Sequence, residues 1–319
     1  MDSNKGLIAV ASGLALVGTL MISVTFAQSY LERRIRHVVD ESIAKNAEKV
    51  DVTYKNVKVS LLSRKIDING IHIHELTGSK NFEMDVDKFE MSDIDSATLL
   101  RMATDPQHKT LPSSLRIGAL GMHFTPAILG DKGSKEIADL GYQELNVSMS
   151  LGLKMNRKEK TFRFDDVNLD VADLGKISTT WAFSQIEMPS DEELQHPETL
   201  QAVMKDRIKN IAFHYADLRF EDHSLISRID DKMKKSGKPP LSESVKGLSG
   251  IIQSRTPAKL AFLNDAFPKV QDFLSKGGAI ALKAAPATDV TFVQLANPMN
   301  LMDPNAFAAQ LGLSIEVTH

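Results

Sequence analysis

The chain has 319 residues, with 38 basic and 41 acidic side chains and a formal charge of -3. That near balance gives nucleic-acid binding no electrostatic support. Cysteine is absent, which excludes disulfides, thiolate metal sites and a thiol nucleophile.

Leu7 to Phe26 reads LIAVASGLALVGTLMISVTF and carries no charge. At about 20 residues it is long enough to cross the roughly 30 Å hydrocarbon core of a bilayer as a helix. Its large apolar side chains are Leu7, Ile8, Val10, Leu14, Leu16, Val17, Leu20, Met21, Ile22, Val24 and Phe26. A cleaved signal peptide is the competing reading, with Thr25, Phe26 and Ala27 ahead of Gln28. Signal apolar regions usually run about 7–15 residues, so an uncleaved single-pass anchor is favoured. Arg33, Arg34, Arg36 and Lys45 follow the span, against Lys5 before it. The positive-inside rule places such a flank in the cytoplasm. Large domains translocate largely regardless of charge, which offsets that flank and leaves a body on the far side favoured.

Tyr30 to Lys49 keeps a helical spacing through Leu31, Ile35, Val38, Val39 and Ile43, which predicts a stalk. From Val50 the period becomes two. Val52 to Leu61 and Ile66 to Ile73 read as strands, with Asn69-Gly70 as a bulge or bend. Phe82 to Ile94 and Ser114 to Thr125 continue the alternation, with a short helix from Ser96 to Ala103 between them. Leu145 to Leu153, Phe162 to Val171 and Ile177 to Phe183 predict a meander with short turns. A helical insert, Asp191 to Lys205, precedes a further strand from Ile211 to Phe220. Helices are then predicted over Leu225 to Lys235, from Ser242, and over Leu260 to Leu274. Ala279 to Ala284 and Leu313 to Val317 read as closing strands, with short helices between Leu295 and Leu311.

The pattern predicts an α+β fold. An N-terminal transmembrane helix leads to an elongated, twisted, mainly antiparallel sheet with C-terminal helices packed on it. The segments are a tail 1–6, an anchor 7–27, a stalk 28–49, a sheet-rich body 50–222 and a helical region with closing strands 223–319.

Candidate chemistry is sparse. His72 and His74 share one face of a strand; two imidazoles without a third ligand point to a solvated face, and no metal is expected. Asp165, Asp166, Asp170 and Asp173 cluster around a hairpin but lack a glycine-marked calcium loop. Glu221, Asp222, His223 and Ser224 supply the residue types of a hydrolytic triad. Neighbours in sequence cannot adopt its geometry, so Asp222 or Ser224 reads as a helix cap. Phe162, Phe164, Trp181, Phe183, Phe213 and Tyr215 place large rings on adjacent strands. They form either a groove for acyl chains or a core under the C-terminal helices.

The span followed by Tyr30-Leu31-Glu32-Arg33-Arg34 resembles the start of YdgA-like bacterial envelope proteins. Val52-Thr53-Tyr54-Lys55-Asn56-Val57, continuing to Ile68-Asn69-Gly70-Ile71, resembles the opening strands of AsmA-like proteins. Leu140-Gly141-Tyr142 before the meander, and Gly277-Gly278-Ala279 through Pro286, are similar to the hairpin entry and closing strand of that group. The resemblance covers about half the chain and carries no catalytic residue. It implies an inner-membrane anchor, a periplasmic body, and lipid or other envelope proteins as partners. The expected function is non-enzymatic and without a cofactor: binding lipid or another apolar ligand, or supporting envelope maintenance and lipid transport. An interaction scaffold with no ligand is the alternative, and a membrane-tethered hydrolase the third. The arginine flank keeps a cytoplasmic body as the alternative topology.

Overall fold

The computed structural model describes residues 28–60, 63–76, 82–94, 112–190, 192–193, 207–255, 261–297 and 303–319. It is an α+β protein whose strands pair antiparallel. The chain divides into two compact units, Met1–Leu153 with Ser190–Pro197, and Lys154–Pro189 with Glu198–His319. The stretch 50–222, read from sequence as one body, is therefore divided. The expected anchor Leu7–Phe26, the helix Ser96–Ala103 and nearly all of the insert Asp191–Lys205 lie outside the described residues. Among the described residues no helix is long and apolar enough to cross a membrane.

Unit 1 opens with α1 (Gln28–Asn46). Its helical spacing brings Ile35 and Val39 to one side, and both are buried. The Val59 N–H donates to Glu32 Oε1 at 3.2 Å, and the Tyr54 hydroxyl donates to Asp40 Oδ1 at 2.7 Å. Both contacts tie α1 to the first strands, so it is part of unit 1 rather than a free stalk. β1 (Val50–Thr53) and β2 (Asn56–Ser60) both pair with β3 (Lys65–Glu75). Next come β4 (Glu83–Ser92), β5 (Ser114–Phe124) and β6 (Leu145–Asn156), and the unit boundary falls inside β6. A 3-10 turn (Pro126–Leu129) and α2 (Gly130–Asp139) follow β5. α2 was not foreseen, because its sequence GDKGSKEIAD is polar and none of its residues is buried.

Alternation breaks once in this sheet, at one level. Ile68 pairs with Phe89 and Ile71 with Val86, so three residues separate two inward positions. Gly70 takes up the step with φ +59°, and Gly121 does the same in β5 with φ +60°. A Cβ on Gly121 would lie 2.1 Å from Asp87 Oδ2. Left-handed backbone favours glycine, so the step is written into the chain by residue type. The result keeps Ile66, Ile68, Ile71 and Ile73 on one buried face with Met84, Val86 and Phe89.

Unit 2 is built on β7 (Thr161–Val171), β8 (Gly175–Ser184), β9 (Ala212–Asp222), β10 (Ala279–Ala284) and β12 (Leu313–Thr318), paired in that order. β11 (Val290–Thr291) adds to β9. Its helices are α3 (Leu225–Lys235), α4 (Leu241–Arg255), α5 (Ala261–Lys276), α6 (Phe292–Leu295) and α7 (Pro304–Gln310). α3 starts where Asp222 Oδ1 accepts from the Ile226 N–H at 3.0 Å, the capping role expected of Asp222 or Ser224. α5 contains Pro268 and ends at Gly277-Gly278, both with positive φ.

Candidate functional site: the apolar face of unit 2

Directly opposed residues of an antiparallel pair share a face, so the register of unit 2 assigns its faces. Phe162 opposes Phe183, Phe164 opposes Trp181, and Leu169 opposes Ile177. Across the next ladder, Phe183 opposes Phe213, Thr179 opposes Leu218 and Ile177 opposes Phe220. Leu218 then opposes Leu282, and Leu282 opposes Ile315. From Phe162 to Leu169 these rows hold one polar side chain, Thr179, and its hydroxyl donates to the Asp217 carbonyl at 2.8 Å.

Two irregularities keep the rows aligned. The β7–β8 register shifts between Phe164 and Val167, where Asp166 has φ +52°. The β8–β9 register shifts between Ala182 and Phe183, with the extra residue in β9. The second shift separates one expected site residue from the rest. Tyr215 opposes Ala182 on the polar face, and its hydroxyl donates to Asp217 Oδ2 at 3.1 Å. Simple alternation from Phe213 had put both rings together; the bulge turns Tyr215 over. Burial, and next the bond to Asp217, push its phenol up from the ordinary value.

The other five rings share the apolar face. Phe162 and Phe164 meet edge to face with centroids 4.7 Å apart, and Phe164 meets Trp181 at 6.3 Å. Phe183 contacts Phe213 at 6.4 Å and Phe292 of α6 at 6.0 Å. α5 covers part of the face: its buried Phe273 sits edge to face on Phe220 at 6.0 Å. Elsewhere the face is open. Leu169 is 37% exposed, Leu282 41%, Ile177 42%, and Trp181 and Leu218 each 47%. These residues run across β7, β8, β9 and β10. A contiguous apolar surface of this kind is suited to receive another apolar body. Chemically it can offer dispersion contact and water exclusion.

The opposite face is polar and internally matched. Lys283 Nζ lies 2.5 Å from Glu316 Oε2, and Arg219 Nη2 donates to Thr318 Oγ1 at 3.2 Å. The acidic cluster of the hairpin is answered by bases: Asp165 pairs with Arg163 and, at 3.1 Å, with Lys154, and Asp170 lies opposite Lys176. Asp173 occupies the β7–β8 turn with φ +61°, and its carbonyl accepts from the Ser224 hydroxyl.

Sequence reasoning missed one polar convergence. Asp289 accepts from the Ser184 hydroxyl and, at 2.7 Å, contacts His214 Nδ1. Burial raises the Asp289 carboxyl, but these two hydrogen bonds outweigh it and hold the carboxyl below its usual value. The residue types match a Ser-His-Asp hydrolase, yet the carboxylate stands between serine and imidazole. In a triad the imidazole stands between, where it can take the hydroxyl proton. The arrangement therefore fastens the loop before β11 to β8 and β9. Only the fold brings together residues 105 positions apart.

In unit 1, His72 Nδ1 lies 2.8 Å from Asp85 Oδ1, and Nε2 lies 3.5 Å from Glu83 Oε1. The hydrogen bond to Asp85 raises the imidazole above its ordinary value despite some burial. His74 lies between Asp51 and Glu83. Among the described residues no group of three or more His, Asp or Glu side chains is arranged to hold a metal ion. An open cleft of about 540 Å³ lies between α1 and β1, lined by Arg36, Asp40, Ile43, Val52, Tyr54 and Lys55. Burial, and then the bond to Asp40, push the Tyr54 phenol up.

A family model described as "Uncharacterized protein" matches residues 168–318, the stretch that holds β8 to β12 and the helices between them. The chain matches no curated protein.

Proposed function

We propose that this chain is a membrane-anchored, non-enzymatic envelope protein that holds lipid, or another apolar ligand, on the open face of unit 2. The observation that carries the reading is the exposure of Trp181 and Leu218, each 47%, within rows whose one polar side chain is Thr179. Exposed apolar area is costly at about 25 cal/mol per Å², so a face kept this way is favoured when a ligand covers it. The charge-free span Leu7–Phe26 supports a single-pass anchor that would hold the face near a source of acyl chains. The resemblance to YdgA-like and AsmA-like proteins supports an inner membrane with the body in the periplasm. Within this reading the site residues are Phe162, Phe164, Trp181, Phe183 and Phe213, joined by Leu218.

Trp181 is the only tryptophan in the chain, so its fluorescence reports on this face alone. The full chain is reconstituted in nanodiscs of ordinary phospholipid and titrated with a brominated fatty acid, which quenches indole on contact. Saturable quenching, weakened about tenfold by Leu218→Asp with the fold retained, supports the reading. Emission that ignores the brominated chain, with no lipid recovered from the purified protein by mass spectrometry, overturns it in favour of a ligand-free scaffold.

A further inference from the structure

α5 meets the sheet of unit 2 chiefly at β12, and its last turn carries Phe273 onto Phe220. The chain then passes through Gly277-Gly278 into β10. β12 returns antiparallel to β10 with Thr318 opposite Ala279, so residue 319 arrives beside that turn. Gly278 permits the approach: a Cβ there would lie 2.2 Å from the Thr318 carbonyl oxygen. His319 is thereby brought against the end of α5. Its Nδ1 lies 2.9 Å from the Gly277 carbonyl oxygen, and its Nε2 lies 2.8 Å from Asp272 Oδ2. The other oxygen of the same carboxylate, Oδ1, holds Lys276 Nζ at 2.6 Å.

Both partners of the imidazole only accept: a carbonyl has no proton to give, nor has an ionised carboxylate. The neutral ring carries one N–H and can complete one of the two bonds, whereas the imidazolium carries two and completes both. We propose that His319 is a proton-operated clip. Protonated, it fastens the last turn of α5, and Phe273 with it, across the Gly277-Gly278 turn; neutral, it lets that turn loosen. The groups facing the ring are Asp272 and Lys276 of α5 and the Gly277 carbonyl. Of the charges on neighbouring strands, Arg219 donates to Thr318 and Glu316 pairs with Lys283, while α7 has no charged side chain. The bond to Asp272, and next that to the Gly277 carbonyl, raise the imidazole above its ordinary value despite some desolvation. With a raised folded value, the clip is fully closed below the unfolded value of about pH 6.5 and is lost as pH rises through the folded one. Loosening lifts Phe273 from Phe220 and extends the open rows of unit 2 by one ring. The clip does not depend on whether those rows carry lipid.

Hydrogen exchange of the full chain in nanodiscs, read by mass spectrometry, tests both halves of the device. Deuterium uptake at the imidazole C2 position follows the titration of His319, which should lie above that of a free histidine. Backbone protection is taken relative to the intrinsic exchange rate at each pH. From about pH 5.5 to about pH 8.5 it should fall severalfold over residues 270–277 and stay level over β8, which reports any global change. His319→Gln does not titrate, so its protection over 270–277 should stay at the low value throughout. His319→Arg is a cation with several donors at every pH, so its protection should stay at the high value. Native protection that ignores pH, a fall matched by His319→Gln, or a fall shared equally by β8 overturns the proposal.

Discussion

In unit 1 the apolar rows are closed: Ile68, Met84 and Val86 are each 1% exposed. In unit 2 rows of the same alternating design leave Trp181 and Leu218 at 47%. The strands of both units pair antiparallel, both units use bulges to keep their apolar positions in phase, and both have a helix laid against those strands. The difference lies in coverage. α1 meets β1 and β2 through Ile35, Val39 and Glu32. α5 meets the unit 2 face at Phe220 and leaves the rows from Leu169 to Leu282 partly in water. Identical strand chemistry thus yields a core in one place and a surface in the other. An open apolar face can be built from core-like residues simply by withholding the last layer.

The contrast is broken most directly in unit 1. Phe89 is 2% exposed, so Phe89→Ala should cost about 3–5 kcal/mol, the range for truncating a fully packed ring. Denaturant unfolding measures it, and a loss under about 1 kcal/mol would mean that the unit 1 face is as open as that of unit 2.

The matching change in unit 2 should be milder. Phe164 is half-buried between Phe162 and Trp181, so Phe164→Ala forfeits only part of a ring's burial, about 1–2 kcal/mol. The same variant should retain less lipid after purification. A cost as large as that of Phe89→Ala, with lipid unchanged, would place Phe164 in a closed core.

The smallest effect concerns the polar faces. In unit 1 His72 is raised by its hydrogen bond to Asp85. A group whose folded value is raised stabilises fully below its unfolded value near pH 6.5, and the gain fades as pH rises through the raised folded value. At 40% side-chain exposure solvent screens much of the pairing, so the change should be slight. Stability measured from pH 5.5 to 8.5 should decline slightly in the native chain and less in Asp85→Asn. An NMR titration of His72 at the free-histidine value would remove the basis for this expectation.

Much of the strand layout was legible from alternation. β10 coincides with the predicted Ala279–Ala284, β12 with the predicted closing strand, and the turn at Leu174 joins β7 to β8 as expected. The bend expected at Asn69-Gly70 is present because glycine's freedom at positive φ is a property of the residue itself. Tyr215 was misplaced because a bulge in β9 arises from pairing with β8, which no single strand encodes.

By itself the sequence determined what is local: the period of each strand, the absence of thiol chemistry, a charge-free stretch of membrane-spanning length, and which side chains could share a face. These follow from spacing along one segment, since strand side chains alternate whatever surrounds them. Only the tertiary structure decided what depends on distant partners. It set α1 against the first strands, joined Ser184 to Asp289, and brought Phe273 of α5 onto Phe220. Burial is a relation between a face and whatever comes to cover it. The same apolar alternation therefore specifies a closed core in unit 1 and an open face in unit 2, and only the packed chain tells them apart.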